Sequence, residues 1–157
     1  MDNLDEKDVA ILKMLQEDAR HTVKELSTGI NLSPSPTFDR QKRLEKLRYI
    51  KEYVALVDYK KAGNNLIVLC NIKLKEQKKD VAMQFVERIR QMEEVTECFN
   101  TSGDYDYLLK IYLRNMEHYR DFVVNKLATI DSIGNFSSNF VIEEVKYTTH
   151  IPIYPKE

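Results

Sequence analysis

The spacing of apolar residues changes once along this chain, at the polar stretch Lys60-Lys61-Ala62-Gly63-Asn64-Asn65. Before it, apolar residues recur every three or four positions, the period of helices packed on one side. After it, stretches of strict alternation appear, the period of strands with one buried face. A chain with both rhythms in separate blocks forms neither one bundle nor one sheet. The break predicts two domains, residues 1–62 and residues 63–157, in an α+β protein.

The second block reads in order. Leu66 to Leu74 alternates as a strand, and Asp80 to Met92 is an amphipathic helix with Val81, Phe85, Val86 and Ile89. Val95–Thr101 and Tyr105–Leu113 are strands joined by a turn at Ser102-Gly103-Asp104. Met116–Thr129 is a helix, Ile133-Gly134 a turn, and Phe136–Val145 a fourth strand. The order β-α-β-β-α-β is that of ferredoxin-like domains, with both helices on one face of the sheet. The other face would carry Ile67, Leu69, Cys98, Leu108 and Tyr112, too apolar to stay wet. Burial against a second copy is the expected remedy, so a homodimer is predicted.

The first block holds three helix starts. Asp5 and Asp8 flank the first, with Leu4 and Val9 at staple spacing. Thr22-Val23-Lys24-Glu25 is a capping box. Ser33-Pro34-Ser35-Pro36 opens the third, with Ser35 expected as cap and Pro36 at the first helical position. Phe38, Leu44 and Leu47 are expected to face inward, and Tyr53–Val57 to form a strand-like wing. Together these predict a winged helix-turn-helix.

Charge gives the third helix a function. The whole chain has a net charge of −1. Yet Arg40, Lys42, Arg43, Lys46, Arg48 and Lys51 cluster in Leu32–Lys51 against only Asp39 and Glu45. A recognition helix presents its N-terminal residues to the major groove while Arg and Lys neutralise phosphates. Ser33, Ser35 and Thr37 are small and polar enough to approach the DNA backbone. Arg40, Lys42 and Arg43 would take phosphate or base-edge contacts. On pattern alone, a plain helical bundle with a solvated basic face competes with this reading.

Other function classes find less support. No apolar run reaches the ~20 residues of a membrane helix. The acidic N-terminus has no signal-peptide character, so a cytoplasmic protein is expected. Cys70 and Cys98 are isolated and expected to be reduced and buried. His21, His118 and His150 lack ligand spacing, and no phosphate loop or nucleophile motif occurs. An enzyme, a metal or a cofactor is not expected. Ser102-Gly103-Asp104-Tyr105-Asp106-Tyr107 stays open between two readings. Gly103 would let backbone N–H groups approach a ligand carboxylate while Asp104 or Asp106 receives an ammonium, as suits a free amino acid. Alternatively it is an ordinary hairpin turn.

These motifs, taken together, resemble the Lrp/AsnC (feast/famine) family of transcriptional regulators nearly end to end. The resemblance rests on Leu4-Asp5, Ile11-Leu12, Leu32-Ser33-Pro34, Arg40, Arg43-Leu44-Glu45, Ser102–Leu109 and Glu143–Lys146. It implies an N-terminal DNA-binding domain, a dimerising βαββαβ domain, further assembly commonly to octamers, and amino-acid effectors in clefts between dimers. Gly103, Asp104 and Asp106 would line that cleft, with Ser138 and Asn139 facing them from a neighbour. Against the family pattern, Arg48 and Asn31 stand for glycines, Gln41 for a buried aliphatic, and Asn139 for an aromatic or aliphatic residue. Arg48 would add a phosphate contact. The expected function is a DNA-binding transcriptional regulator, acting on double-stranded DNA and modulated by leucine or another amino acid. The alternative is a ligand-sensing oligomeric scaffold without specific DNA binding.

Overall fold

The computed structural model describes residues 4–154. Three helices come first: α1 (Glu6–Glu17), α2 (Val23–Gly29) and α3 (Pro34–Lys46). Asp5 caps α1 through a reciprocal box with Asp8, and Thr22 caps α2 through a box with Glu25. Both follow from side chains that satisfy first-turn N–H groups. The start of α3 differs from expectation. Ser33 is the cap and both prolines lie inside the first turn, with Pro34 at its opening. First-turn N–H groups have no helical partner to lose, so neither proline breaks the helix.

Two of the helices end alike. The N–H of Leu32 bonds the Ser27 carbonyl, and that of Tyr49 the Leu44 carbonyl, at 3.0 Å each. The residues between, Asn31 and Arg48, have φ of 51° and 63°. These are Schellman ends, which demand a left-handed residue. Asparagine accepts that conformation readily; arginine accepts it at a cost.

Ile11, Leu12, Leu15, Leu26, Ile30 and Leu44 form the core of this first unit. Phe38 and Leu47, expected inside, are 46% and 39% exposed. Thr37 is buried instead, its hydroxyl donating to the Ser33 carbonyl at 2.9 Å. Residues 51–58 are exposed and form no strand. An extended segment needs a pairing partner to become a strand, and one chain supplies none here.

The second unit has β1 (Leu66–Leu74), α4 (Lys79–Arg90), β2 (Val95–Asn100), β3 (Tyr107–Leu113), α5 (Met116–Asn125), a 3₁₀ turn (Leu127–Thr129) and β4 (Ile133–Phe140). The antiparallel sheet runs β2-β3-β1-β4. Val68, Cys70, Ile72, Leu109 and Ile111 point to the helices and bury Phe85 and Phe122. This is the expected α+β architecture. β4 is displaced: it begins at Ile133 and ends at Phe140, with Ile142 and Val145 left exposed. Gly134 is not a turn residue. A Cβ there would lie 3.2 Å from the Lys75 backbone, so glycine permits the close approach at the β1–β4 irregularity. A second irregularity, between Val95 and Glu97, puts Cys98 opposite Leu109 on the helix-facing side. Cys98 is exposed rather than buried, and both cysteines are free thiols.

The compact units divide the chain differently from 1–62 and 63–157. One combines the chain up to Leu56 with the stretch from Lys146 onward; the other is Val57–Val145. The returning stretch docks on α1. Gln16 Oε1 accepts the Ile151 N–H at 2.7 Å, Gln16 Nε2 donates to its carbonyl at 3.2 Å, and Ile153 packs against the core.

Arg48→Gly should relieve the left-handed arginine and stabilise the first unit by about 1 kcal/mol. Chemical denaturation of the full chain measures this; a lower midpoint would mean Arg48 contributes more than its backbone costs.

Candidate nucleic-acid and effector sites

A helix turns 100° per residue, so α3 has a buried side and a free side. Thr37 and Leu44 mark the buried side. Ser35, Phe38, Asp39, Lys42 and Lys46 lie round the opposite side, and all are exposed. Arg40 and Arg43 fall between, toward α1, and are committed there. Asp8 is fully buried. Its Oδ1 takes Arg40 Nη1 at 2.9 Å, and its Oδ2 takes Arg43 Nη2. Arg40 also reaches Asp5 at 2.5 Å. Burial pushes the Asp5 carboxyl up, but the Asp8 N–H and the Arg40 guanidinium outweigh it and hold it below its usual range.

This clasp changes the roles expected for two arginines. They tie the recognition helix to α1 with the ends that were to contact DNA. Thr37 is likewise withdrawn, because its hydroxyl is used inside the helix. Ser33, Ser35, Lys42 and Arg48 stay exposed, as does Lys46. Ser33 makes no side-chain cap bond. With prolines on both sides, Ser35 keeps the first-turn N–H left over for a ligand such as phosphate. Lys42 bonds Glu45 at 2.7 Å and lies 5.6 Å from the Phe38 ring centre. Gln41, standing where a buried aliphatic was expected, donates to the Tyr53 hydroxyl at 2.9 Å; that hydroxyl donates on to Glu45 at 3.1 Å. Sequence reasoning missed the clasp. Its signal was an acid at the third helical position, which the helix dipole and the cap were enough to account for.

In the second unit Gly103 has φ of 115°, a backbone only glycine adopts easily. Asp104 is exposed, and its carboxylate has no partner among the described residues. Asp106 is committed: Oδ2 accepts the Leu74 N–H at 2.8 Å and Oδ1 the Gln77 amide at 3.2 Å. Its own N–H bonds the Ile72 carbonyl at 2.8 Å. It therefore stitches the end of β1 to the β2–β3 turn, which leaves less of it for a ligand ammonium. Ser138 and Asn139 point to opposite faces of β4. The Ser138 hydroxyl donates to Cys70 Sγ at 3.5 Å on the helix side, while Asn139 is exposed opposite Leu69. One ligand does not meet both side chains on one surface. No His, Cys, Asp or Glu group suited to a metal occurs among the described residues.

Comparison with known proteins bears on both sites. Residues 4–51 match a family model described as winged helix-turn-helix DNA-binding, and residues 67–151 one described as Lrp/AsnC ligand binding domain. The chain belongs to the Lrp/AsnC family. It is similar to transcriptional regulator AzlB of Bacillus subtilis, 37% identical over 96% of each chain. It is also 36% identical to the leucine-responsive regulatory protein of Escherichia coli K12, over 96% of this chain and 92% of that one. A Neisseria meningitidis transcriptional regulator solved as an L-Met complex superposes with a TM-score of 0.91 at 34% identity, covering 95% of this chain and 96% of that one. As an Lrp/AsnC protein the chain is a DNA-binding transcriptional regulator with a ligand-binding domain, not an enzyme. None of its helices is long and apolar enough to cross a membrane, among the described residues.

Two predictions follow from these sites. Asp8→Ala strips both arginines of their buried partner. Breaking a buried pair costs about 3–5 kcal/mol, and the partial exposure of the guanidiniums reduces this to about 2 kcal/mol. Urea denaturation should show that loss, with DNA affinity falling alongside; an unchanged midpoint would mean the clasp is dispensable. Asp106→Ala should lower the stability of the second unit by about 1–3 kcal/mol, through the unpaired Leu74 N–H. Asp104→Ala should change it by less than about 0.5 kcal/mol. Equal effects would contradict the division of labour between the two aspartates.

Proposed function

We propose that this regulator binds operator DNA as a homodimer that assembles further, toward an octamer, and that a free amino acid shifts its assembly or DNA affinity. The observation that carries the reading is one basic helix face in a helix-turn-helix, joined in the same chain to a glycine turn with an uncommitted aspartate. Ser33, Ser35, Lys42 and Arg48, with Lys46, contact the DNA backbone or the groove floor. Arg40 and Arg43 orient the helix and keep only their outer N–H groups for phosphate. Backbone N–H groups of the turn at Gly103 receive the effector carboxylate and Asp104 its ammonium. A second copy supplies Asn139.

The sheet face opposite the helices supports the dimer. Leu69, Leu108 and Tyr112 are half-buried there, Phe99 is 50% exposed, and Lys110 bridges Glu97 at 3.3 Å. A face this apolar gains from burial against its own copy. The Neisseria relative's L-Met makes a short apolar amino acid the first effector class to try. Leucine and methionine share that chemistry, a zwitterionic head with an unbranched or branched apolar tail. The protein acts in the cytoplasm, and residues 1–62 and 63–157 approximate its DNA-binding and sensing portions.

A thermal-shift screen of the twenty amino acids with native mass spectrometry tests the sensing half. One or a few apolar amino acids should raise the melting temperature and redistribute oligomers, and Asp104→Ala should abolish the shift. A flat screen removes the effector reading. Mobility shift across salt tests the other half. A dimer contacting at least six phosphates should lose about a thousandfold in affinity between 50 and 200 mM salt. Flat salt dependence supports the scaffold alternative.

A further inference from the structure

The recognition helix carries one large apolar side chain that the protein does not use. Phe38 is 46% exposed and lies outside the core formed by Ile11, Leu12, Leu15, Leu26, Ile30 and Leu44. It sits within the first two turns of α3, on the free side with Ser35, Lys42 and Lys46. Lys42 holds its ammonium 5.6 Å from the ring centre. That ammonium lies over the ring and is paired with Glu45 at 2.7 Å, and a charged pair seated there gives little reason for an apolar protein partner to cover the ring.

The hydrogen-bonding side chains best suited to reading bases are elsewhere. Arg40 and Arg43 are drawn back to Asp8, and Gln41 is bonded to Tyr53. What the free face offers the groove is therefore a ring flanked by two lysines and a small hydroxyl, with Asp39 the one acid among them. In the major groove, the base edges present donors, acceptors and one apolar group, the 5-methyl of thymine. We propose that Phe38 is a specificity-determining residue whose ring packs against a thymine 5-methyl group in each half-site. The proposal rests on α3 being the helix that enters the groove. It makes readout at that position apolar, so it selects thymine without a hydrogen bond to the base.

The test uses the full-length protein. A binding site is first selected from random duplexes with the unaltered chain. Each thymine is then replaced by uracil, which removes the methyl group alone, and affinity is measured at fixed salt. The unaltered protein should lose about five- to tenfold at one thymine per half-site. Phe38→Ala should bind more weakly to the thymine site, show no further loss with uracil, and keep the same salt slope. Phe38→Leu should retain part of the thymine preference, and it carries the test if the alanine variant melts early. The proposal is overturned if the selected site has no such thymine, or if uracil is tolerated everywhere. It is equally overturned if Phe38→Ala keeps the full uracil penalty, or if Phe38→Ala changes the oligomeric state instead of base preference. Failure to select any site would bring down the groove reading of α3 as well, which separates that result from the others.

Discussion

The first unit depends on a carboxylate that never sees water. Asp8 is fully buried on α1, and two guanidiniums from α3 close over it. A buried charge is tolerated only when it is paired and hydrogen-bonded. Here the pairing also fixes geometry. Two arginines one helical turn apart, gripping the two oxygens of one carboxylate, leave α3 little freedom to roll on α1. The last helix of the helix-turn-helix is therefore held in a defined orientation on α1. The apolar core alone would allow more rotation, because only Leu44 anchors α3 within it as a fully buried aliphatic residue.

That constraint explains what the free face of α3 looks like. Once Arg40 and Arg43 are tied to Asp8, the exposed basic patch consists of Lys42, Lys46, Arg48 and Lys51. Lysine is a flexible point charge suited to phosphates more than to bidentate base contacts. Affinity from a modest patch is enough if paired copies act together, which fits a chain whose net charge is −1.

The sensing unit repeats the theme. Asp106 holds the β2–β3 turn against the end of β1 through three bonds. The turn is thereby tied to β1, and Asp104 is presented from it without a partner among the described residues. One acid positions while its neighbour stays available. The chain then returns past β4 to α1, where Gln16 grips Ile151 and Ile153 joins the core. The DNA-binding unit is thus built from both ends of the chain, a feature local patterns do not encode. The exchange of residues 146–154 into that unit also gives the two halves a second covalent connection.

Much was legible from residues alone, because it depended on neighbours in the chain. The capped starts of α1 and α2, the left-handed end at Asn31, and the βαββαβ order all follow from local hydrogen bonding and the two periods of apolar residues. The third helix was identifiable from its proline start and its apolar spacing, though its start was misplaced by two residues because prolines fit anywhere in a first turn. Tertiary structure alone decided which charges were free. Whether Arg43 meets a phosphate or Asp8, and whether Asp106 meets a ligand or Leu74, depends on residues more than thirty positions away. A one-residue irregularity in β2 turned Cys98 to the other face, and that too is a product of pairing with β3. Spacing specifies which residues share a face; only the packed fold specifies what that face meets.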